Sequence, residues 1–234
     1  MKISVKYAVT GALSGAANGF FGAGGGLFLV PLLISWCGME QKRAFATSVA
    51  VIFPLCAVSA VIYWLKGGLP IAQAVPYLLG GAAGGKVIRQ GKGRLAAPCI
   101  RRADSLWRRP CRPAAVSAVL AVAIGLLTGI LSGFGIGGGS LLLLYLTLFE
   151  GAGQYQAGGI NLLYFLSCAP AALISHRKNG LIEREAVKCC VPAGVVTSVL
   201  SALLAARVDT DLLRRAFGVV LLYIGVKETF LRKK

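Results

Sequence analysis

Two glycine clusters are the parts of this sequence whose composition and spacing could bind a ligand. They are Gly22-Ala23-Gly24-Gly25-Gly26 and Gly135-Ile136-Gly137-Gly138-Gly139. Each cluster interrupts a long apolar segment, and because glycine costs about 1 kcal/mol relative to alanine inside a helix, three in a row predict a break. The helix that restarts after the break presents free backbone N–H groups and the positive end of its dipole. Each cluster therefore predicts an anion site.

Hydroxyl and amide side chains follow the two clusters at related positions. Thr47 and Ser48 open the apolar segment after the first cluster, and Asn161 stands 113 residues beyond Ser48. These groups donate hydrogen bonds to an anion without adding charge. We predict that they bind substrate together with the glycines, the alternative being that they cap their helices. The predicted substrate-binding residues are Gly22, Gly24, Gly25, Gly26, Thr47, Ser48, Gly135, Gly137, Gly138, Gly139 and Asn161.

The remaining polar residues argue against an enzyme. Residues 133–138 satisfy the dinucleotide-binding pattern G-x-G-x-x-G, but LLLLYLTLF follows in place of an amphipathic helix, and no acidic residue stands about 20 positions on. No apolar segment carries a central carboxylate, no nucleophile–base pair or metal-binding spacing occurs, and the single histidine, His176, lies in a basic loop. We predict no catalytic residues, no metal and no cofactor.

The composition predicts an integral membrane protein. Of 234 residues 56% are hydrophobic and 14% are charged, with a mean hydropathy of +0.74. A soluble domain carries about 25% charged residues. The formal net charge of +17 is spread over short loops and the basic stretch at residues 89–112. Basic loops beside membrane spans are an ordinary topology signal, so we predict a lipid bilayer and no nucleic acid as partner.

Seven apolar segments are candidates for membrane spans, since a helix crosses the hydrocarbon core in roughly 20 residues. They are Tyr7–Cys37, Phe45–Leu65, Leu69–Ile88, Ala114–Phe149, Gly158–Ser175, Ala186–Ala206 and Leu212–Phe230. The first and fourth are too long for one straight span, and both contain a glycine cluster. The sequence thus predicts an all-α membrane fold with two glycine-broken helices.

The two halves of the chain are related by an offset of 113 residues. This offset lays GFFGAGGGLFLVPLL onto SGFGIGGGSLLLLYL, and it also pairs Gly67 with Gly180 and Gly81 with Gly194. We predict two homologous four-helix repeats, residues 1–112 and 113–234. Repeats with glycine-interrupted segments at corresponding positions are typical of secondary transporters.

Residues 91–112 do not fit this repeat. The second half ends with the apolar segment LLRRAFGVVLLYIGVKETF, whereas its counterpart reads RLAAPCIRRADSLWRRPCRP. Codons for residues 95–112, read one base further on, permit WLRRAFGVLILYGGVRA, which aligns with the later segment. Our hypothesis is a pair of compensating frameshifts that removes the fourth of eight intended spans and leaves about seven. The alternative is a genuine basic cytoplasmic loop.

These motifs resemble the sulfite exporter TauE/SafE family of membrane proteins. Each repeat opens with the motif G-x-G-G-G. The first half continues with A-T-S and then K-G-G, and the second half has N-G at the position of K-G-G. GAGGGLFLVPLL and RAFATSVAVIFP are the most specific pieces. The resemblance covers Gly11–Lys86 and Gly125–Phe230, while Asn161 stands where a hydroxyl residue is common in the family.

The resemblance implies a multi-pass permease of the bacterial inner membrane. Its substrates would be small anions such as sulfite, sulfonates or related organic anions, and a homo-oligomer remains open. The alternative function is a non-transporting scaffold, partner subunit or degenerate paralogue, which the basic stretch at residues 91–112 favours. The repeated glycine breaks favour the permease.

Overall fold

A computed structural model describes residues 3–89, 114–133 and 138–231, and within them the chain forms nine α-helices and no strand. In chain order they are α1 (Ile3–Phe21), α2 (Gly26–Ser35), α3 (Gln41–Leu65), α4 (Ile71–Arg89), α5 (Ala114–Gly133), α6 (Gly138–Leu148), α7 (Gln154–Lys178), α8 (Arg184–Ala205) and α9 (Thr210–Leu231). Every predicted apolar segment overlaps a helix, and the two long segments each yield two. The fold is therefore all-α, as predicted, while residues 91–112 lie outside the described part of the chain.

The first glycine cluster ends one helix and begins another, but the second helix turns back. Gly22, Gly24 and Gly25 all have φ between 64° and 75°, a left-handed backbone that glycine adopts without strain. After this turn the Ser14 hydroxyl donates to the Gly25 carbonyl at 3.1 Å, and the Lys6 ammonium donates to the Trp36 carbonyl at 3.2 Å. Helix α2 therefore runs antiparallel to α1, and the two form a hairpin.

The contacts between helices define two ends of the bundle. One end of the bundle carries Lys6 at the start of α1 and is called the Lys6 end. There the Thr47 hydroxyl of α3 accepts a hydrogen bond from the Glu183 backbone N–H, just before α8. At the opposite end, called the Tyr63 end, the rings of Tyr63 and Tyr155 stack with centroids 4.2 Å apart. Helices α1, α3 and α8 thus run towards the Tyr63 end, while α4, α5, α7 and α9 begin there.

The second hairpin opens in the opposite direction from the first. Helix α6 starts beside α5, because a methyl group added at Gly138 would lie 2.3 Å from the Thr128 carbonyl oxygen. Beyond the end of α6, Glu150 accepts a hydrogen bond from the Tyr77 hydroxyl near the start of α4. Helix α6 therefore returns to the Tyr63 end, where α5 begins, whereas α2 returns to the Lys6 end.

Small residues bring the helices into close contact. Helix α1 packs along α8, and a methyl group at Gly15 would lie 2.1 Å from the Gly194 carbonyl oxygen. Helix α4 packs along α5 in the same way, since a methyl group at Gly80 would lie 2.3 Å from the Val122 carbonyl oxygen. Lipid tails provide no hydrophobic drive for helix association, so backbone approach through glycine supplies van der Waals contact instead.

Small and polar residues lower the hydropathy of α1. Among the described residues, α3, α7 and α8 are the three helices long and apolar enough to cross a membrane by length and composition. Helix α1 has 19 residues, yet its buried face is made of glycine, alanine, serine, threonine and asparagine in addition to aromatic residues. Its polar groups face other helices, so the helix depends on its neighbours for a suitable environment.

A buried polar cluster joins α1, α3 and α8. The Asn18 amide donates to the Ser59 hydroxyl at 3.0 Å and to the Ser198 hydroxyl at 3.4 Å, and the Cys56 thiol donates to the Asn18 carbonyl oxygen at 3.4 Å. All four side chains are fully buried. Hydrogen bonds between helices fix their register, because an unpaired polar group in an apolar environment is costly.

Candidate functional site

The two helix breaks meet at one small cavity in the middle of the bundle. Its volume is about 20 Å³, which holds about one water molecule. The lining comes from both hairpins and from α3 and α7, and no lining residue is charged. The lining residues are Ala23, Gly24, Gly26, Ser48, Val49, Ile52, Ser132, Gly139 and Phe165.

The first residues of two half-helices face this cavity. Gly26 is the first residue of α2, and Gly139 is the second residue of α6. Because α2 leads to the Lys6 end and α6 to the Tyr63 end, the two helices meet N-terminus to N-terminus. Each N-terminus carries roughly half a positive charge from the helix dipole. The partial positive charges of the two helix ends therefore face the cavity from opposite directions and favour a negative ligand.

Helix α2 begins without a side-chain cap. Its N-cap residue, Gly25, has φ 64° and makes no capping hydrogen bond. The Gly25 carbonyl accepts the N–H groups of Phe28 at 3.1 Å and Leu29 at 3.0 Å. The first N–H groups of a helix have no partner within that helix. The N–H groups of Gly26 and Leu27 therefore remain as the donors that a ligand in the cavity could use.

Ser48 and Asn161, which correspond at the 113-residue offset, have different roles. Ser48 lines the cavity, and its hydroxyl donates to the Phe45 carbonyl one turn earlier at 2.8 Å. The Asn161 amide instead donates to the Gly22 carbonyl at 2.6 Å. The Asn161 side-chain oxygen is buried without a partner among the described residues, close to Gly139. Asn161 thus bridges the two breaks and lies behind the cavity wall.

Thr47 does not line the cavity. Its hydroxyl accepts the backbone N–H of Glu183 at 3.0 Å, and the Glu183 carboxylate pairs with Arg43 at 3.3 Å. These contacts place Thr47 at the Lys6 end, where it anchors the loop before α8. Its neighbour Ser48 points elsewhere because successive helical residues differ by about 100° in direction.

The remaining predicted glycines shape the breaks. Gly22 approaches α7 so closely that an added methyl group would lie 2.4 Å from the Gly158 Cα atom. Gly25 packs on Ser14 of α1, and Gly138 packs on α5. Gly24 lines the cavity itself. Gly135 and Gly137 lie outside the described residues.

Sequence reasoning missed Ser132. This serine near the end of α5 lines the cavity, is 3% exposed, and its hydroxyl has no hydrogen-bond partner among the described residues. At the 113-residue offset Ser132 aligns with Gly19, so the repeat gave no sign of a polar partner. Its position just before the second glycine cluster was the available signal.

Two stacked aromatic rings lie beside the first break, towards the Tyr63 end. Tyr63 and Tyr155 stack there, and the Tyr63 hydroxyl donates to the Gly19 carbonyl at 3.0 Å. Tyr155 also packs against Gly68, where an added methyl group would lie 2.1 Å from the tyrosine ring. The stack lies next to Gly22 and Gly158, at the point where the first break contacts α7.

A larger groove lies on the outside of the first hairpin, between α1, α2 and α9. It measures about 490 Å³ and is lined by apolar and aromatic residues such as Leu13, Phe28 and Tyr223. It offers no cluster of hydrogen-bond donors comparable with the two helix N-termini. Within the described residues, no group of histidine, cysteine or acidic side chains could hold a metal ion. The small cavity is therefore the better candidate site.

Comparison with known proteins points to a single family. The sequence model of the family described as sulfite exporter TauE/SafE matches residues 2–103 and 94–228. Two proteins named "Probable membrane transporter protein", from Xylella fastidiosa strains 9a5c and Temecula1, are each 24% identical over 246 residues. Each alignment covers 93% of this chain and 91% of the relative. No solved structure matches.

Proposed function

Since the chain belongs to the sulfite exporter TauE/SafE family and is a multi-pass protein of the bacterial membrane, we propose that it is a secondary transporter of small anions. The substrates would be sulfite, sulfonates or related sulfur-containing and organic anions. The observation that carries this proposal is the meeting of two half-helix N-termini at one uncharged cavity. Such sites bind anions through free N–H groups and helix dipoles.

The arrangement of helices supports alternating access by two inverted four-helix repeats. The 113-residue offset places the first and last residues of α3, Gln41 and Leu65, on the first and last residues of α7, Gln154 and Lys178. Helix α1 packs on α8 while α5 packs on α4, so the first helix of each half contacts the third span of the other. The two hairpins open to opposite ends. In this closed arrangement the cavity holds about one water molecule, so rocking of one repeat against the other would have to enlarge it for a small anion as well as expose it to either side in turn.

Basic residues indicate which end faces the cytoplasm. Among described side chains, the Lys6 end carries Lys6, Lys42, Arg43, Arg177, Lys178, Arg184 and Lys188. The Tyr63 end carries Lys66, Arg207, Arg214 and Arg215. Cytoplasmic loops are enriched in lysine and arginine, so we propose that the Lys6 end is cytoplasmic. A tag inserted at Gly180 should then be protected in intact cells, and one inserted at Gly67 should be accessible from outside.

Uptake by reconstituted vesicles tests the proposed transport. Vesicles containing the protein should accumulate radiolabelled sulfite faster than empty vesicles, and Gly25→Leu and Gly138→Leu should abolish the difference. Gly38→Leu is the matched control, because Gly38 has φ 68° but nothing within 4 Å of an added methyl group. Gly25→Leu and Gly138→Leu should also lower stability, because an added methyl group at either position would already lie within 2.6 Å of a backbone carbonyl oxygen, so uptake is compared only for protein that elutes in folded form. Full transport by both break variants would contradict the proposed site.

A non-transporting protein is the second candidate, favoured by the basic stretch at residues 91–112. A scaffold or partner subunit would show no uptake for any small anion, even when purified in folded form. The DNA sequence around codons 90–113 offers a direct comparison. If the restored reading frame gives a protein that transports and the chain as written does not, this chain is a degenerate member of a transporting family.

A further inference from the structure

We infer that the cavity between the two helix breaks selects singly charged anions and rejects doubly charged anions of the same size. This inference rests on the proposed transport function and adds the charge of the substrate. It concerns the balance between the fixed positive charge around the cavity and the negative charge of the ligand. Both quantities follow from the described residues and from the chemistry of small oxyanions.

Among the described residues, the positive charge at the cavity comes from the backbone alone. Gly26 and Gly139 present the N-termini of α2 and α6, each equivalent to roughly half an elementary charge. None of the nine residues that line the cavity is lysine, arginine or histidine. The two helix ends together therefore offset about one negative charge.

A second negative charge would find no compensating side chain among the described residues that line the cavity. The side chains that line the cavity are either apolar, such as Val49, Ile52 and Phe165, or neutral hydroxyls. Moving an uncompensated charge from water into such surroundings is strongly unfavourable. A single charge, by contrast, meets donors from two opposite directions.

An unused donor supports a ligand at this place, independently of the helix ends. Ser132 is 3% exposed and lines the cavity, and its hydroxyl has no partner among the described residues. Buried hydroxyl groups are normally hydrogen-bonded, so an unpartnered one at a cavity wall is available to a water molecule or a ligand in that cavity. The Ser48 hydroxyl lines the same cavity from α3. Both groups donate hydrogen bonds and contribute no net charge.

Two competitors of similar size separate charge from shape. Methanesulfonate carries one negative charge and sulfate carries two across the neutral pH range. Sulfite uptake into vesicles with equal pH inside and outside should be inhibited by methanesulfonate at concentrations where sulfate has no effect. Sulfite itself titrates between the singly charged and doubly charged forms. At fixed total sulfite, initial uptake should fall about tenfold per pH unit above that pKa, in proportion to the singly charged form.

A variant of the unused donor provides a test that concerns binding. Ser132→Ala should raise the half-saturating sulfite concentration about tenfold or more, because a hydrogen bond to a charged ligand is lost. It should leave the preference for methanesulfonate over sulfate unchanged, since the hydroxyl carries no charge. Ser201→Ala is the control: Ser201 is buried on α8 and bonds to the Thr197 carbonyl at 2.7 Å, away from the cavity.

The outcomes separate the two claims. Sulfite uptake that is inhibited equally by sulfate and methanesulfonate, or that increases with the doubly charged form, would overturn the charge selection and leave the transport function intact. Absence of sulfite uptake at every pH would overturn the proposed transport function and this inference with it. Methanesulfonate-selective inhibition together with the expected pH profile would support both.

Discussion

Replacement of Gly25 by alanine is the sharpest test of the first hairpin. Gly25 caps α2 with φ 64°, and an added methyl group would lie 2.5 Å from the Ser14 hydroxyl oxygen and 2.6 Å from the Ser14 carbonyl oxygen. The substitution therefore introduces two separate penalties. The new residue must adopt a left-handed backbone, and α2 must move away from α1 or the Ser14 hydrogen bond must break.

The two penalties can be estimated separately. A left-handed conformation costs a residue other than glycine about 1–2 kcal/mol. Insertion of a methyl group into a packed contact costs about 1–3 kcal/mol. Gly25→Ala should therefore reduce the free energy of unfolding by roughly 2–5 kcal/mol. Gly38→Ala, at φ 68° with nothing within 4 Å, should incur the backbone term alone.

Reversible unfolding in mixed detergent micelles would measure both variants against the parent protein. We expect Gly25→Ala to lose about 1–3 kcal/mol more than Gly38→Ala, which isolates the close contact between α2 and α1. Ser14→Gly, combined with Gly25→Ala, should recover part of that difference because it removes the hydroxyl. Equal losses for Gly25→Ala and Gly38→Ala would refute the close packing of the hairpin on which the site geometry depends.

Three further tests probe helix packing, a buried hydrogen bond and an ion pair by the same measurement. Gly15→Ala should lower the free energy of unfolding by about 1–3 kcal/mol through its contact with α8. Gly218→Ala, with open space around it, should be neutral or stabilise by up to about 1 kcal/mol. Equal effects of the two substitutions would argue against close α1–α8 packing. The double-mutant cycle of Ser59→Ala and Ser198→Ala should show a coupling of about 0.6–1.7 kcal/mol, and additivity would mean that their hydrogen bond contributes nothing. Arg43→Gln should cost less than about 1 kcal/mol because its ion pair is half exposed, and a larger loss would indicate a structural role for that pair.

Helix positions followed from the sequence more readily than helix directions. Hydropathy and glycine content placed the breaks, and α1 does end at Phe21 while α2 begins at Gly26. The antiparallel return of α2 was not evident, because it depends on the contact between Ser14 and Gly25 across the turn. A glycine cluster permits many backbone paths. Tertiary contacts with α1 determine which one the chain follows.

In the candidate site as well, positions along the chain followed from the sequence more readily than directions around a helix. Gly24, Gly26, Ser48 and Gly139 were predicted from the glycine clusters and the repeat, and all four line one cavity. The direction of each side chain around its helix could not be read from an apolar segment, because hydrophobic residues surround the whole helix. Thr47, which the sequence predicts beside Ser48 as a substrate-binding residue, has a hydroxyl that bonds to the Glu183 backbone N–H and does not line the cavity.

The geometry of α4 and α5 bears on the frameshift hypothesis and gives a final prediction. The two helices run parallel, because Tyr77 contacts Gly125 and Gly84 contacts Ile130. Helix α4 therefore ends at the Lys6 end while α5 begins at the Tyr63 end, an arrangement that a fourth span between them would fit. In such a span each arginine placed in the hydrocarbon core would cost about 2.5–3.5 kcal/mol on the insertion scale.

The restored sequence WLRRAFGVLILYGGVRA would cross with its arginines near one end, as LLRRAFGVVLLYIGVKE does in α9. We expect the restored-frame protein to express at a higher level and to melt at a higher temperature in detergent than the chain as written, because a fourth span would cover faces that lipid covers poorly. A control with the residues 95–112 shuffled should behave like the chain as written. Equal melting temperatures for the restored and written chains, or an in-frame basic segment in close relatives, would reject the frameshift hypothesis and favour a genuine basic loop.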